Sequence, residues 1–223
     1  MRLSILFVSL ILVFSSCKKG DETIIYGDHY FLADSGRYVV YDVMSIVHDD
    51  PSEVHDTSLF QIKEIIGKEL MDNEGYHTRK LYRNIKENDN LNLNLKDVWV
   101  IKKTGRSVEV IEENQRKIKM AFSISYDQYW DCNALNNLDA EQCYHSNIYL
   151  PISVASIDYD SPVVVEHENF LSYIEYLRSY EVYAPSIGKI QSYFKDIEIN
   201  NGDTLQVEKG TQLFYDAIEF GKE

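Results

Sequence analysis

Two cysteines, Cys132 and Cys143 in "CNALNNLDAEQC", are the residues best placed for covalent chemistry. They make either a disulfide or half of a soft-metal site. A metal site needs further soft donors nearby, and His145 is the obvious one. A second candidate is "HDDPSEVHD", which gathers His48, Asp49, Asp50, Glu53, His55 and Asp56. Oxygen-rich loops hold calcium, and His with Asp holds zinc. The same composition describes an exposed turn around Pro51, so no metal is assigned. His48, Asp49, Asp50 and His55 remain the candidates if one binds. Asp158 and Asp160 have the residue types for glycoside hydrolysis. A chain with 36 acidic residues holds many such pairs, so this one carries almost no information. There is no Gly-x-Ser-x-Gly elbow, Ser-x-x-Lys, His-Glu-x-x-His, EF-hand pattern or phosphate-cradling glycine loop. His29, His77, His145 and His167 share no spacing and read as surface or packed side chains. No catalytic residue and no cofactor is assigned.

The third cysteine answers to a different chemistry. Met1 and Arg2 precede an almost wholly apolar run, Leu3 to Phe14. As a helix those residues span about 18 Å, short of a hydrocarbon core of roughly 30 Å. A positive start, a short apolar run and small residues before a cut describe a secretory signal peptide, residues 1–16. Ser15 and Ser16 lead directly into Cys17, which resembles a bacterial lipobox, with Phe14 where Leu is commoner. That resemblance implies acylation of Cys17 and anchoring by several lipid chains, firmer than one chain provides. The "KKGDET" that follows loosely resembles a surface-export signal of Bacteroidota lipoproteins, so either the cell surface or the periplasmic face of the outer membrane fits. Outside the cytosol, the remaining cysteines are an even pair in an oxidising space. A Cys132–Cys143 disulfide is therefore expected, worth about 3 kcal/mol in the chain-entropy model.

Composition narrows the partners. The formal charge is −14. Such a polyanion repels nucleic acid and anionic headgroups, so nucleic-acid binding is excluded as a role. Two small basic clusters, Arg79, Lys80 and Arg83, and Arg116, Lys117 and Lys119, sit among acids and read as solvated strand faces. The seventeen tyrosines suit half-buried sheet positions before they suit a carbohydrate platform.

The elements that must position these residues are strands. "GRYVVYDVMSI", "SLFQIKEII" and "RKIKMAFSI" alternate or are β-branched and aromatic. Asp72-Asn73-Glu74-Gly75, Thr104-Gly105-Arg106 and "NNGD" (200–203) mark turns. Residues 125–146 lack a sustained period and are expected to hold one short helix inside the cysteine loop. "SYIEYLRSYEVYA" fits a strand and also helix spacing; as a strand, Tyr173 and Tyr183 share one face and Tyr176 and Tyr180 the other. Around ten short strands with at most one or two short helices make an all-β, mainly antiparallel domain over residues 30–223, after a lipidated tether at 17–29. A curved sheet, open barrel or sandwich all fit.

"HYFLADSGRYVVYDVMSIVHDD" is similar to a segment of Bacteroidota lipoproteins of unknown function, through Tyr30, Phe31, Leu32, Gly36, Val40, Tyr41, Asp42, Val43, Asp49 and Asp50. "YWDCNALNNL" resembles a Trp-x-Gly-Asn segment of that group, with Cys132 in the glycine position, a departure that supports a disulfide special to this chain. "EVYAPSIGKIQ" resembles a hairpin of the same group. The resemblance implies a β-rich, outer-membrane-tethered protein and brings no catalytic residues. The resulting expectation is a non-enzymatic binding or envelope-assembly module, held to the membrane by its N-terminal lipid, with an envelope protein or glycan as partner. Small-molecule or glycan binding is the alternative, and a hydrolase without a recognisable motif the second.

Overall fold

A computed structural model describes residues 26–31, 33–49, 54–87 and 92–223. The expected signal peptide, Cys17 and most of the tether lie outside the described residues, as do Leu32, Asp50 and Glu53. The strands are β1 (Arg37–Asp49), β2 (Val54–Met71), β3 (His77–Glu87), β4 (Asn94–Lys103), β5 (Ser107–Glu112), β6 (Gln115–Ala121) and β7 (Tyr129–Asp131). They continue as β8 (Gln142–Ser146), β9 (Ile152–Val154), β10 (Ile157–Tyr159), β11 (Val163–Leu171), β12 (Glu175–Ala184), β13 (Gly188–Asn200) and β14 (Asp203–Lys222). Twelve form one antiparallel sheet in the order β6-β5-β4-β3-β2-β1-β14-β13-β12-β11-β8-β7; β9 and β10 make a separate hairpin.

The sheet curls until its outermost strands meet, so the protein is a nearly closed barrel. Ile118 N–H in β6 donates to the Cys132 carbonyl just past β7 (2.9 Å). The Trp130 indole N–H in β7 donates back to the Ile118 carbonyl (3.0 Å). Curling removes the exposed edges that an open sheet would present. Several strands are much longer than the short ones expected, β14 running for 20 residues. The segment 175–184, ambiguous by period, is a strand. The short helix expected within the cysteine loop is not there. Residues 132–141 are turns held by side chains, with Asp131 accepting from the backbone N–H groups of Asn133 and Glu141. Asp and Asn side chains that satisfy nearby backbone favour such turns over helix.

The expected turns appear where their residues demand them. Asp72 accepts from the backbone N–H groups of Glu74 and Tyr76. Asn201 and Gly202 both take positive φ between β13 and β14, as a two-residue hairpin loop of this kind requires.

The barrel has unlike ends. The first described residues cross the end where β1 begins. A single 3-10 turn, Asp28–Tyr30, puts the Tyr30 ring inside, only 1% exposed, with its hydroxyl donating to the Ser161 carbonyl (2.6 Å). Ser123 N–H donates to the Tyr26 carbonyl and Ser186 N–H to that of His29, tying this plug to two loops. An apolar core gathers around it, with Ile66, Leu81, Ile101, Val108, Met120, Val163, Val165 and Tyr183. The β9–β10 hairpin covers the outside instead, its Val154 and Tyr159 clustering with Val164, Val182 and Ala184.

Tyr30→Ala removes both a buried ring and a hydrogen bond. We expect a loss of about 3–5 kcal/mol, the usual range for deleting a large buried aromatic, read from the urea midpoint at unchanged slope.

Candidate functional site

Twelve strands enclose more space than side chains fill; about eight is the number at which a small barrel packs solid. Here the extra width holds ion pairs and a cavity. In β12, Glu181 points inward, whereas Val182 points out beneath the β9–β10 hairpin, because neighbours on a strand face opposite ways. Glu181 is the hub. Its oxygens stand 3.6 Å from Lys119 Nζ, 3.9 Å from Lys189 Nζ and 3.4 Å from His167 Nε2, and one accepts from the Tyr183 hydroxyl at 2.7 Å. Burial alone would raise its pKa; the cations Lys119, Lys189 and His167 outweigh burial and hold it well below the usual carboxylate range. Burial likewise opposes charge on Lys119, but Glu181 and Glu112 raise its pKa.

A second knot sits on β3. Arg83 donates to Glu64 at 3.1 Å and to Asp97 at 3.0 Å, with its guanidinium 3.8 Å above the Trp99 ring centroid. Lys189 joins the two knots, 3.7 Å from Glu64 on one side and near Glu181 on the other.

Between these groups is a cavity of about 440 Å³, walled by Arg83, Lys119, His167, Glu181 and Lys189, with Trp99, Phe194 and Tyr215 as its apolar part. Lys117 and Glu141, each about a quarter exposed (28% and 26%), mark its outlet beside the β6–β7 seam. Toward the plug it adjoins a small apolar recess of about 60 Å³ against Phe31, Ile66 and Leu81. The arrangement suits binding a charged or strongly polar molecule. Nothing in it matches a nucleophile activated by a base.

Two sequence readings are corrected by this interior. Arg83 and Lys119 do not belong to solvated strand faces. Arg83 is 4% exposed and the Lys119 side chain 13%, both turned inward and paired with acids. Arg79, from the same cluster, does stay at the surface, pairing with Glu69.

Cys132 and Cys143 are joined by a disulfide, with Cα atoms 6.0 Å apart, fastening the loop beyond the seam. His145 is not their neighbour. It packs on Trp130, and burial pushes its pKa down to about 4. The histidine beside the sulfurs is His167, with Nδ1 3.4 Å from Cys143 Sγ and 3.7 Å from Cys132 Sγ. It is the extra residue of a bulge, since Glu166 pairs with Tyr180 and Glu168 with Ser179. Alternation already sets His167 on the inner face with Val163 and Val165, and the bulge turns Glu168 to that face as well. His48 and His55 face each other across β1 and β2 with Nδ1 atoms 3.3 Å apart. Asp49 ends β1, and among the described residues no third carboxylate, histidine or cysteine completes a metal-sized group there. Asp158 accepts from Ser153 within the outer hairpin and does not line the cavity. Tyr183 lines the interior while Tyr180 pairs with Tyr193, so the tyrosines divide between faces as alternation requires.

No family model matches the chain, and no curated protein matches it. Among solved structures, a candidate lipoprotein from Parabacteroides distasonis superposes with a TM-score of 0.39 at 10% identity, over 86% of this chain and 98% of that one. A similarity of that size assigns neither family nor activity.

Glu181→Gln leaves Lys119 with Glu112 and Lys189 with Glu64, so the loss is expected below the roughly 3–5 kcal/mol of a buried pair broken outright. The depressed Glu181 pKa gives the sign with pH. Its contribution is complete above the unfolded glutamate value of about 4.3 and is lost as pH falls through the lower folded value. Wild type therefore loses stability below that point, and Glu181→Gln loses less over the same window. Urea midpoints from neutral pH down into the acid range, for both proteins, check the magnitude and the slope.

Proposed function

We propose that this chain is an outer-membrane lipoprotein, anchored through Cys17, that binds a small charged molecule inside its barrel. One observation carries the binding reading. A barrel plugged at one end keeps a cavity of about 440 Å³ lined by paired charges at the other. Concave sites with a few fixed polar groups are the common form of a ligand site. Charged walls favour a charged guest, because an apolar one would leave the walls' water uncompensated. The lipid anchor is supported by the signal-like run and by Ser15-Ser16-Cys17. Residue 26 enters at the plugged end, nine residues after Cys17. A tether of that length reaches at most about 30 Å, so the plugged end faces the membrane and the outlet faces away.

A second reading, an assembly module, is favoured by the hairpin tips at the outlet end. Tyr173, Ile174 and Leu205 are 78%, 73% and 90% exposed. The β11–β12 and β13–β14 tips touch through Gly202 N–H donating to the Tyr173 carbonyl.

The cavity contains its own reporter. With Trp130→Phe, Trp99 is the remaining tryptophan. Titration with amino acids, short carboxylates, uronic acids and sugar phosphates is expected to give a saturable change in Trp99 emission for one class. Lys189→Met should weaken that binding at least tenfold. A flat response to every class, with the protein folded, counts against the cavity as a ligand site. Labelling with a radioactive fatty acid is expected for wild type and lost in Cys17→Ser; equal labelling would remove the anchor.

A further inference from the structure

A disulfide needs only its two sulfurs, yet this one has a histidine nitrogen turned toward both, the three donors lying within 4.8 Å of one another. Strand β11 brings in His167 on its inner face, after Val163 and Val165, and the loop places Glu141 beside that ring, its Oε1 3.5 Å from His167 Nδ1. A tetrahedral zinc centre with Zn–S near 2.3 Å and Zn–N or Zn–O near 2.0–2.2 Å has donor–donor edges of about 3.4–3.8 Å. The distances from His167 Nδ1 to Cys143 Sγ, Cys132 Sγ and Glu141 Oε1 are 3.4, 3.7 and 3.5 Å. Two edges of such a tetrahedron, from the imidazole nitrogen to each sulfur, are therefore already set.

The surroundings add an independent observation. His167 Nε2 lies 3.4 Å from the buried carboxylate of Glu181. A ligating histidine normally offers its second nitrogen to a carboxylate, which fixes the ring and raises its basicity. Lys117 Nζ stands 3.9 Å from the other oxygen of Glu141. Both cysteines are enclosed, at 1% and 0% exposure.

We propose that, once the disulfide is reduced, Cys132, Cys143 and His167 form a three-donor site for zinc or a similar thiophilic divalent ion, with water in the fourth position and Glu141 beside it. The structure shows the oxidised form. Exchange with a small dithiol breaks the Sγ–Sγ bond. Two electrons and two protons pass to the cysteines, and the reductant leaves as its own cyclic disulfide. Zn²⁺ then displaces the two thiol protons, and any proton on His167, as the sulfurs move apart to fill the remaining edges. The site would then swap one cross-link of the same loop for another.

Cobalt(II) is the probe, because thiolate ligation and tetrahedral geometry each leave a signature in its absorption spectrum. Full-length protein in detergent is reduced with a dithiol in denaturant, freed of metal, and refolded with and without Co²⁺. The expected result is one cobalt per chain, with thiolate charge-transfer bands and intense visible bands, all abolished by one equivalent of Zn²⁺. Oxidised protein should show neither. His167→Ala should keep the charge-transfer bands while losing tetrahedral intensity. Glu181→Gln should keep the spectrum and weaken affinity about 10–100-fold, the usual cost of an outer-shell partner. Circular dichroism reports folding in every arm. Reduced wild type that folds without taking up cobalt, gives an octahedral spectrum, or cannot fold with cobalt present overturns the assignment.

Discussion

A barrel twelve strands around cannot be filled by the side chains on its inner face, and the charges at its centre follow from that constraint. An apolar lining would leave a large empty space, with its atoms short of partners. The chain instead packs the plugged end with Tyr30, Met120, Val163 and Val165 and sets ion pairs across the wider part. Those pairs need one another. Lys119, Lys189 and His167 hold Glu181 ionised against burial, and Glu181 and Glu112, the acids nearest it, favour the charged form of Lys119. A buried network of this kind adds little net stability, because desolvation offsets attraction, but it penalises any arrangement that separates its members. It therefore acts on register. A one-residue slip of β12 would put Val182 in the cavity and Glu181 beneath the β9–β10 hairpin, both at high cost.

Closure depends on the same logic at the seam. The contact between β6 and β7 rests on the bond from Ile118 N–H to the Cys132 carbonyl and the return bond from Trp130. β7 is three residues long, too short to hold an edge by itself. The Cys132–Cys143 bridge ties the end of β7 to β8, which pairs with β11, so the bridge, the bulge and the cavity outlet form one structural unit.

Much of the fold was legible in the sequence, and the exceptions share a cause. Alternation placed β1, β2 and the hairpin after Thr104, and turn chemistry placed Asp72–Gly75 and Asn201-Gly202, because strands and turns are local. Inside and outside were not legible. In "EYLRSYEVYA" a reader takes Val182 for the core and Glu181 for solvent, yet both are buried, on opposite faces of one strand. The same error sent Arg83 and Lys119 to the surface. Charge reads as exposure only when nothing across the barrel answers it, and the answering residues lie on strands far away in the chain. The pairing of Cys132 with Cys143 could be expected from number and compartment. Their histidine could not, because His145 is near in sequence and faces Trp130, while His167 reaches the sulfurs through the pairing of β11 with β8, a tertiary register.

That bulge is where fold and chemistry meet. In a regular β11, residues 166 and 168 would share a face and His167 would point the other way. His167 already faces inward after Val165, and the unpaired residue brings Glu168 to the inner face as well, while Glu166 keeps its place against Arg178. An inserted residue leaves backbone groups unpaired and twists the strand. The position is 8% exposed at the side chain and lies between two carboxylates. A packed hydrophobe on a regular strand would avoid both the irregularity and the buried imidazole. The arrangement is coherent if the ring's two nitrogens both have work, Nε2 toward Glu181 at the cavity wall and Nδ1 toward the loop that closes the barrel.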